Sequence, residues 1–215
     1  MSNIITLGKN TKSVQYLCRK DKRLAKVISM VGNITYIPYE DGFAFLIHEI
    51  IEQMLSIKAG QKIYDRLEQL CNGVITPSAI SVLRNNDIRN TGTSSSKVCY
   101  IKNIANIIID GSLVLENLNN LSDLQVIKEL TTLKGIGNWT AKMYLIFVLN
   151  RANILPFEDV AFLQSYQWLY KISEFSSVNV KKRCKKWEPY SSIASRYMYQ
   201  ALDLGLTKNE FHLFK

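Results

Sequence analysis

Histidine is almost absent from this chain: His48 and His212 are the only two in 215 residues, and with only four cysteines beside them no zinc set can be drawn from the sequence. The four cysteines, Cys18, Cys71, Cys99 and Cys184, are scattered too widely for a zinc knuckle or a paired redox motif, so they read as small, reduced core residues. No apolar run approaches the ~20 residues of a membrane span, and the N-terminus lacks a charged-then-apolar signal pattern. The expectation is a cytoplasmic or nucleoid protein (nuclear in a eukaryote) with no membrane partner. Proline occurs only at positions 38, 77, 156 and 189, each where a helix would begin or end. Acidic residues are outnumbered, 18 Asp and Glu against 27 Lys and Arg, a formal net charge of +9. That balance favours a polyanionic partner without identifying one, since a basic surface is also a common solubility feature.

What remains is a helical pattern almost throughout, which sets the fold class as all-α. With 47% hydrophobic residues the chain can bury one good core, or two small lobes. Ser13 to Met30 reads as one helix, and Gly32 to Tyr39 as a polar, extended passage able to pair as a short ribbon. Gly42 to Ile57 is a strongly apolar helix, and Ala59 to Cys71 continues as another. Thr76 and Pro77 carry the cap and first-position chemistry of a helix start. Ser94 to Ser96 cap a longer helix whose face carries Val98, Ile101, Ile104, Ala105 and Ile108. No repeat, low-complexity tract or linker interrupts the chain.

The chemistry concentrates between Leu133 and Asp159, LKGIGNWTAKMYLIFVLNRANILPFED. Gly135 and Gly137 flank Ile136 just before a pattern in which Trp139, Met143, Ile146, Phe147 and Asn150 share a helical face. Two glycines permit positive φ and close approach of another backbone. A glycine turn that opens onto a helix presents N–H groups at the positive end of the helix dipole, a common way of holding an anion. Upstream, Leu121 to Leu133 reads as a second helix capped by Ser122, with Leu121, Leu124, Ile127 and Leu130 on one face.

Helix, glycine turn and helix form a helix-hairpin-helix, a grip on the DNA backbone that is indifferent to sequence. LKGIGNWTA, then Asn-Arg, a proline and the acidic pair Glu158 and Asp159, resembles the helix-hairpin-helix (HhH-GPD) base-excision DNA glycosylases, in particular the 3-methyladenine DNA glycosylase II branch. The resemblance runs from about Asp21 to Tyr199. It implies a two-lobed helical fold, with about residues 43–150 as one lobe and 1–42 plus 151–215 as the other. It also implies a monomer that acts on double-stranded DNA with alkylated bases.

Residue by residue, the resemblance places the catalytic aspartate at Asp159 and aromatic faces for a flipped base at Trp139 and Tyr199. EIIEQMLSIKAGQKIYDRL, from Glu49 to Leu67, is similar to the family helix that carries a wedge into the duplex. Met54 stands at the wedge position, with Gln53 and Ser56 as supporting neighbours; apolar wedges unstack base steps. Gly92 and Lys97 match a segment in which glycine supports a turn and lysine approaches DNA. Gly135, Ile136, Gly137 and Thr140 belong to the phosphate grip. No cofactor is implied for catalysis. A structural Na⁺ or K⁺ on the main-chain carbonyls of Thr131, Leu133 and Ile136 is.

Two departures touch the pocket that the resemblance implies, because Ser191 stands where the family has Arg and Tyr199 where it has Trp; both bear on base preference more than on fold. Trp139 also occupies the position at which the strand-cutting branch carries a Schiff-base lysine, which argues for hydrolysis without β-elimination. Asp159 has a second reading as an N-cap of the segment that follows, and Met54 a second reading as a core residue. The run Lys181, Lys182, Arg183, Lys185 and Lys186 either tracks DNA or is the wet face of a helix whose apolar side is Val178, Val180 and Cys184. At the level of the whole chain the alternative to a monofunctional glycosylase is a non-catalytic helix-hairpin-helix DNA-binding module.

Overall fold

Asp21 breaks what the apolar periodicity alone would join. Its side chain accepts from the backbone N–H groups of Arg23 and Leu24, and its own backbone is extended at φ −144°, so the expected single helix from Ser13 to Met30 is two. These are α1 (Lys12–Lys20) and α2 (Lys22–Val31). The computed structural model describes residues 4–174 and 176–213. Strand β1 (Ile5–Leu7) precedes α1, and β2 (Ile34–Tyr36) follows α2 and pairs with β1 antiparallel, with Thr6 opposite Thr35. The expected ribbon therefore forms with the N-terminal segment as its partner. These two short strands form a minor feature of an all-α protein.

The chain then enters α3 (Gly42–Glu52), α4 (Ile57–Leu70), α5 (Pro77–Val82), α6 (Asn85–Asn90), α7 (Ser95–Ile109), α8 (Asp123–Thr131) and α9 (Asn138–Phe147). Side-chain caps fix most of the starts: Asp41 for α3, Ser56 for α4, Thr76 with Pro77 for α5, and Ser94 for α7. Ser122 and Gln125 make a reciprocal capping box on α8. α3 stops at Glu52 rather than reaching Ile57, because the backbone leaves the helix at Gln53, ψ 127°, and continues through Met54 at φ +61°. Three further helices close the chain: α10 (Val160–Tyr170), α11 (Ser177–Cys184) and α12 (Ser191–Asp203).

Two compact units result. One is the continuous segment Tyr39–Leu149, and the other joins the described residues up to Pro38 with those from Asn150 onward. In the continuous unit α3 is buried along Phe43, Phe45, Leu46, Ile47, Ile50 and Ile51 and packs on α4, α7 and α9. Val126 and Leu130 are the buried face of α8, whereas Leu124, expected on the core side, is 80% exposed. The other unit packs α2 and α10 against α12 around Leu17, Leu24, Val27, Phe162, Tyr166, Trp187 and Tyr197. Cysteine follows expectation at the buried Cys71 and Cys184, but Cys99 is exposed. No helix among the described residues is long and apolar enough to cross a membrane.

Candidate functional site

The two glycines of the hairpin turn out to do different work. Gly135 lies at φ +93°, and a Cβ there would sit 2.6 Å from the Cδ2 of Tyr100, so both the backbone and the neighbouring ring demand glycine. The turn closes with the Ile136 N–H donating to the Leu133 carbonyl at 3.0 Å, while the Ile136 side chain, 5% exposed, plugs into the core. Gly137 is ordinary extended backbone, φ −101°, which corrects the expectation of positive φ at both positions. It is the N-cap of α9, and a Cβ there would meet nothing within 4 Å. No side chain caps α9, and no carboxylate lies in its first turn to oppose an incoming anion. Thr140, expected to meet DNA, is 2% exposed, so any part it plays at this helix start is through its main chain. Trp139, in the same turn of the helix, is half-buried.

Met54 stands out on the same unit. It is fully exposed, with relative accessibility 101%, which removes the reading of it as a core residue. Its backbone is left-handed at φ +61°, a conformation that costs a residue with a Cβ about 1–2 kcal/mol. Around it the polar groups converge. The Gln53 Nε2 donates to the Gly135 carbonyl at 2.8 Å, and Ser56 caps α4 by accepting from the Ala59 N–H at 3.3 Å. Lys97, expected to approach DNA, instead directs its ammonium to the carbonyls of Ile51 and Gln53, at 2.9 and 2.6 Å. Partial burial there lowers its pKa. Gly92 takes φ +107° against the Ile63 side chain and is a turn residue as expected.

The remaining candidates belong to the other unit. Asp159 is 8% exposed and is the N-cap of α10, its Oδ1 accepting from the Phe162 N–H at 2.7 Å. The capping reading of Asp159 is thus realised. Tyr199 is half-buried on α12 against that unit's core, its hydroxyl enclosed. Ser191, where a family arginine was expected, bonds the Asn153 Oδ1 at 2.8 Å. Arg196, which sequence reading did not single out, is buried with its guanidinium 3.7 Å from the Tyr36 ring centroid, and burial lowers its pKa.

The basic run is split by its surroundings. Val180 and Cys184 face inward as expected, but Val178 is 69% exposed. Lys181 lies over the Phe157 ring, Arg183 over the Tyr170 ring, and Lys186 pairs with the buried Asp21 at 2.9 Å; Lys181, Lys182, Arg183 and Lys185 are all exposed. Asp21 also accepts from the Tyr170 hydroxyl and from the Trp187 Nε1 at 3.0 Å. Its burial would push its pKa up, but the bonds from Tyr170, Lys186 and Trp187 outweigh that and hold it below the usual carboxylate value.

Elsewhere in the continuous unit a cavity of about 700 Å³ is lined by Glu40, Asp41 and Glu116 together with Tyr39 and Tyr144. Its carboxylates have the wrong sign for a phosphate backbone. Among the described residues no group of three or more His, Cys, Asp or Glu side chains is placed to hold a metal ion. The cation site that the resemblance implies would draw on carbonyls instead. The Leu133 carbonyl already accepts the Ile136 N–H, and its second lone pair leaves it fit to ligate.

Comparison with known proteins agrees with this geometry. DNA-3-methyladenine glycosylase 1 of Schizosaccharomyces pombe is 29% identical over 206 residues, covering 91% of this chain and 89% of its own length. A DNA-3-methyladenine glycosidase from Bacillus halodurans superposes with a TM-score of 0.85 at 30% identity, covering 97% of both chains. The S. pombe 3-methyladenine DNA glycosylase Mag1, in complex with abasic DNA, gives a TM-score of 0.83 at 28% identity, covering 90% of this chain and 97% of its own. The family described as HhH-GPD superfamily base excision DNA repair protein matches residues 47–189. On that match, which spans well over half its length, the chain belongs to the HhH-GPD superfamily.

Proposed function

We propose that this protein is a monofunctional DNA glycosylase of base excision repair. It binds double-stranded DNA, flips out an alkylated purine such as 3-methyladenine, and hydrolyses the N-glycosidic bond to leave an abasic site. The observation that carries the reading is the hairpin: a turn that only glycine can make at Gly135, followed by a helix start without side-chain cap or acid, in a chain of this family. Such a helix start receives a phosphate without regard to base sequence.

A purine methylated on a ring nitrogen is cationic and already a good leaving group. The enzyme must extract it, stabilise positive charge on the deoxyribose as the bond breaks, and admit a water. Extraction is cheapest for a damaged or mispaired base, so selectivity begins there. Met54, wholly exposed, has the unbranched apolar shape of a wedge that fills the vacated stack. The Asp159 carboxylate supplies the negative charge: about 4 Å from an oxocarbenium-like sugar it contributes roughly 4 kcal/mol at an effective dielectric of 20, about a thousandfold in rate. It is also the group that orients or deprotonates the water. Trp139 and Tyr199 offer electron-rich faces to a cationic base. A Na⁺ or K⁺ on the carbonyls of Thr131, Leu133 and Ile136 would bridge hairpin to phosphate and take no part in bond cleavage.

The test is to incubate the protein with alkylated duplex DNA and assay for free base. Release of 3-methyladenine with strands that break only after alkali supports the reading, as does failure of borohydride to trap a covalent adduct. A lysine-dependent trapped adduct would overturn the monofunctional assignment, and DNA binding without base release would leave a binding module.

A further inference from the structure

Met54 presents its side chain to solvent from a left-handed residue, so neither packing nor local backbone preference orients it. Something else must, and the groups that do so come from the hairpin and from α7. We propose that Lys97 is a positioning residue which, with Gln53, locks the turn bearing Met54 to the hairpin, so that the wedge is presented in fixed register with the phosphate grip. The inference rests on the reading of Met54 as the wedge.

The placement of Lys97 has no local rationale. It is the third residue of α7, where the positive end of the helix dipole disfavours a cation. Its ammonium reaches instead to the other end of a different helix, bonding the Ile51 carbonyl at 2.9 Å and the Gln53 carbonyl at 2.6 Å. These carbonyls lie at the C-terminus of α3, where intrahelical partners run out and a cation is favoured. One charge therefore holds the backbone immediately before Met54. The same Gln53 then donates from its side chain to the carbonyl of Gly135, the residue whose positive φ makes the hairpin. The chain of contacts is continuous: α7, Lys97, the turn, Gln53, hairpin. A duplex that pushes back on the wedge as the bases try to restack meets a turn anchored at both its main chain and its side chain.

The test compares Lys97→Met and Gln53→Leu with Met54→Ala in single-turnover excision of an alkylated base. Each is measured on a fully paired duplex and on one in which the lesion faces an abasic analogue. If the lock positions the wedge, both variants lose about tenfold or more on the paired duplex and recover most of it on the unpaired one, where flipping is already easy. Lys97→Arg, which restores two donors, should recover activity, and adding Met54→Ala to either variant should cost nothing further. Equal losses on both substrates, or full activity in Lys97→Met and Gln53→Leu while Met54→Ala is slow, would overturn the proposal and leave the wedge standing. No loss in Met54→Ala would remove the wedge reading and this proposal with it. Fluorescence of a 2-aminopurine opposite an abasic analogue reports wedge insertion without any chemistry, and Gln53→Leu carries the test if Lys97→Met fails to fold.

Discussion

Asp159 caps α10 and, in the proposed function, also provides charge to the sugar, and one substitution separates the two duties. Asn caps about as well as Asp, so Asp159→Asn should keep the bond to the Phe162 N–H and melt within a degree or two of the parent. Base release in single-turnover assays should nevertheless fall about a hundredfold or more, because each 1.4 kcal/mol of lost transition-state stabilisation is roughly a factor of ten. Affinity for abasic duplex should persist; an unchanged rate in the folded variant would make Asp159 a cap and nothing else. The hairpin glycines give a second separation. Gly135→Ala forces a Cβ both into a left-handed residue and to 2.6 Å from Tyr100, and should lower stability by at least about 1 kcal/mol and weaken DNA binding. Gly137→Val should fold normally, since its φ is ordinary and its surroundings are open, and any loss of affinity would come from filling the space an incoming backbone needs. Thermal melts and binding isotherms of the two variants check this. The sequence named both glycines but could not rank them, because the ring that leaves no room for a Cβ at Gly135 is that of Tyr100, distant along the chain. The partners of Lys97 were equally out of reach of the sequence: its acceptor at Gln53 is separated from it by 44 residues.

At the scale of elements, caps were legible and breaks were not. Ser94, Ser122 and Thr76 announce their helices by local chemistry, and they do cap them. Asp21 carries the same cap chemistry, yet the apolar periodicity on either side of it continues without a gap, and the break between α1 and α2 shows only when its carboxylate is seen to gather donors from three distant residues. That network has a pH signature. The folded pKa of Asp21 is lowered, so the stability it contributes is present above the unfolded value of 3.8 and is lost as pH falls through the folded value. Denaturant midpoints should therefore be level from pH 7 to about 5 with respect to this group and drop below about pH 4. In Asp21→Ala, which strands the Tyr170 hydroxyl and the Trp187 N–H and removes the charge facing Lys186, the midpoint at pH 7 should fall by about 3–5 kcal/mol equivalent and the acid sensitivity should shrink. An acid limb as steep in the variant as in the parent would assign it to other carboxylates.

For the whole molecule the net charge of +9 and the absence of a base-reading motif lead to one expectation about DNA. Binding to undamaged duplex should be nearly independent of sequence and steeply dependent on salt, with each neutralised phosphate adding about 0.9 to the slope of log K against log salt. Isotherms that coincide at low and moderate salt would refute it. All-α architecture and membership of the family were both legible, the first from periodicity and the second from a short stretch around the hairpin. The way the chain divides was read from the resemblance alone, because no linker composition marks the passages at Pro38 and Leu149. The division has a consequence for synthesis. The continuous unit, Tyr39–Leu149, is delivered whole before α10 has been made, so its core around α3 can close while the ribosome is still translating. The other unit must wait: α2 finds its partners α10 and α12 only after the intervening segment has been threaded out, and until then Leu24, Val27 and the Asp21 carboxylate sit on the already emerged, N-terminal side of the nascent chain without the residues that bury them.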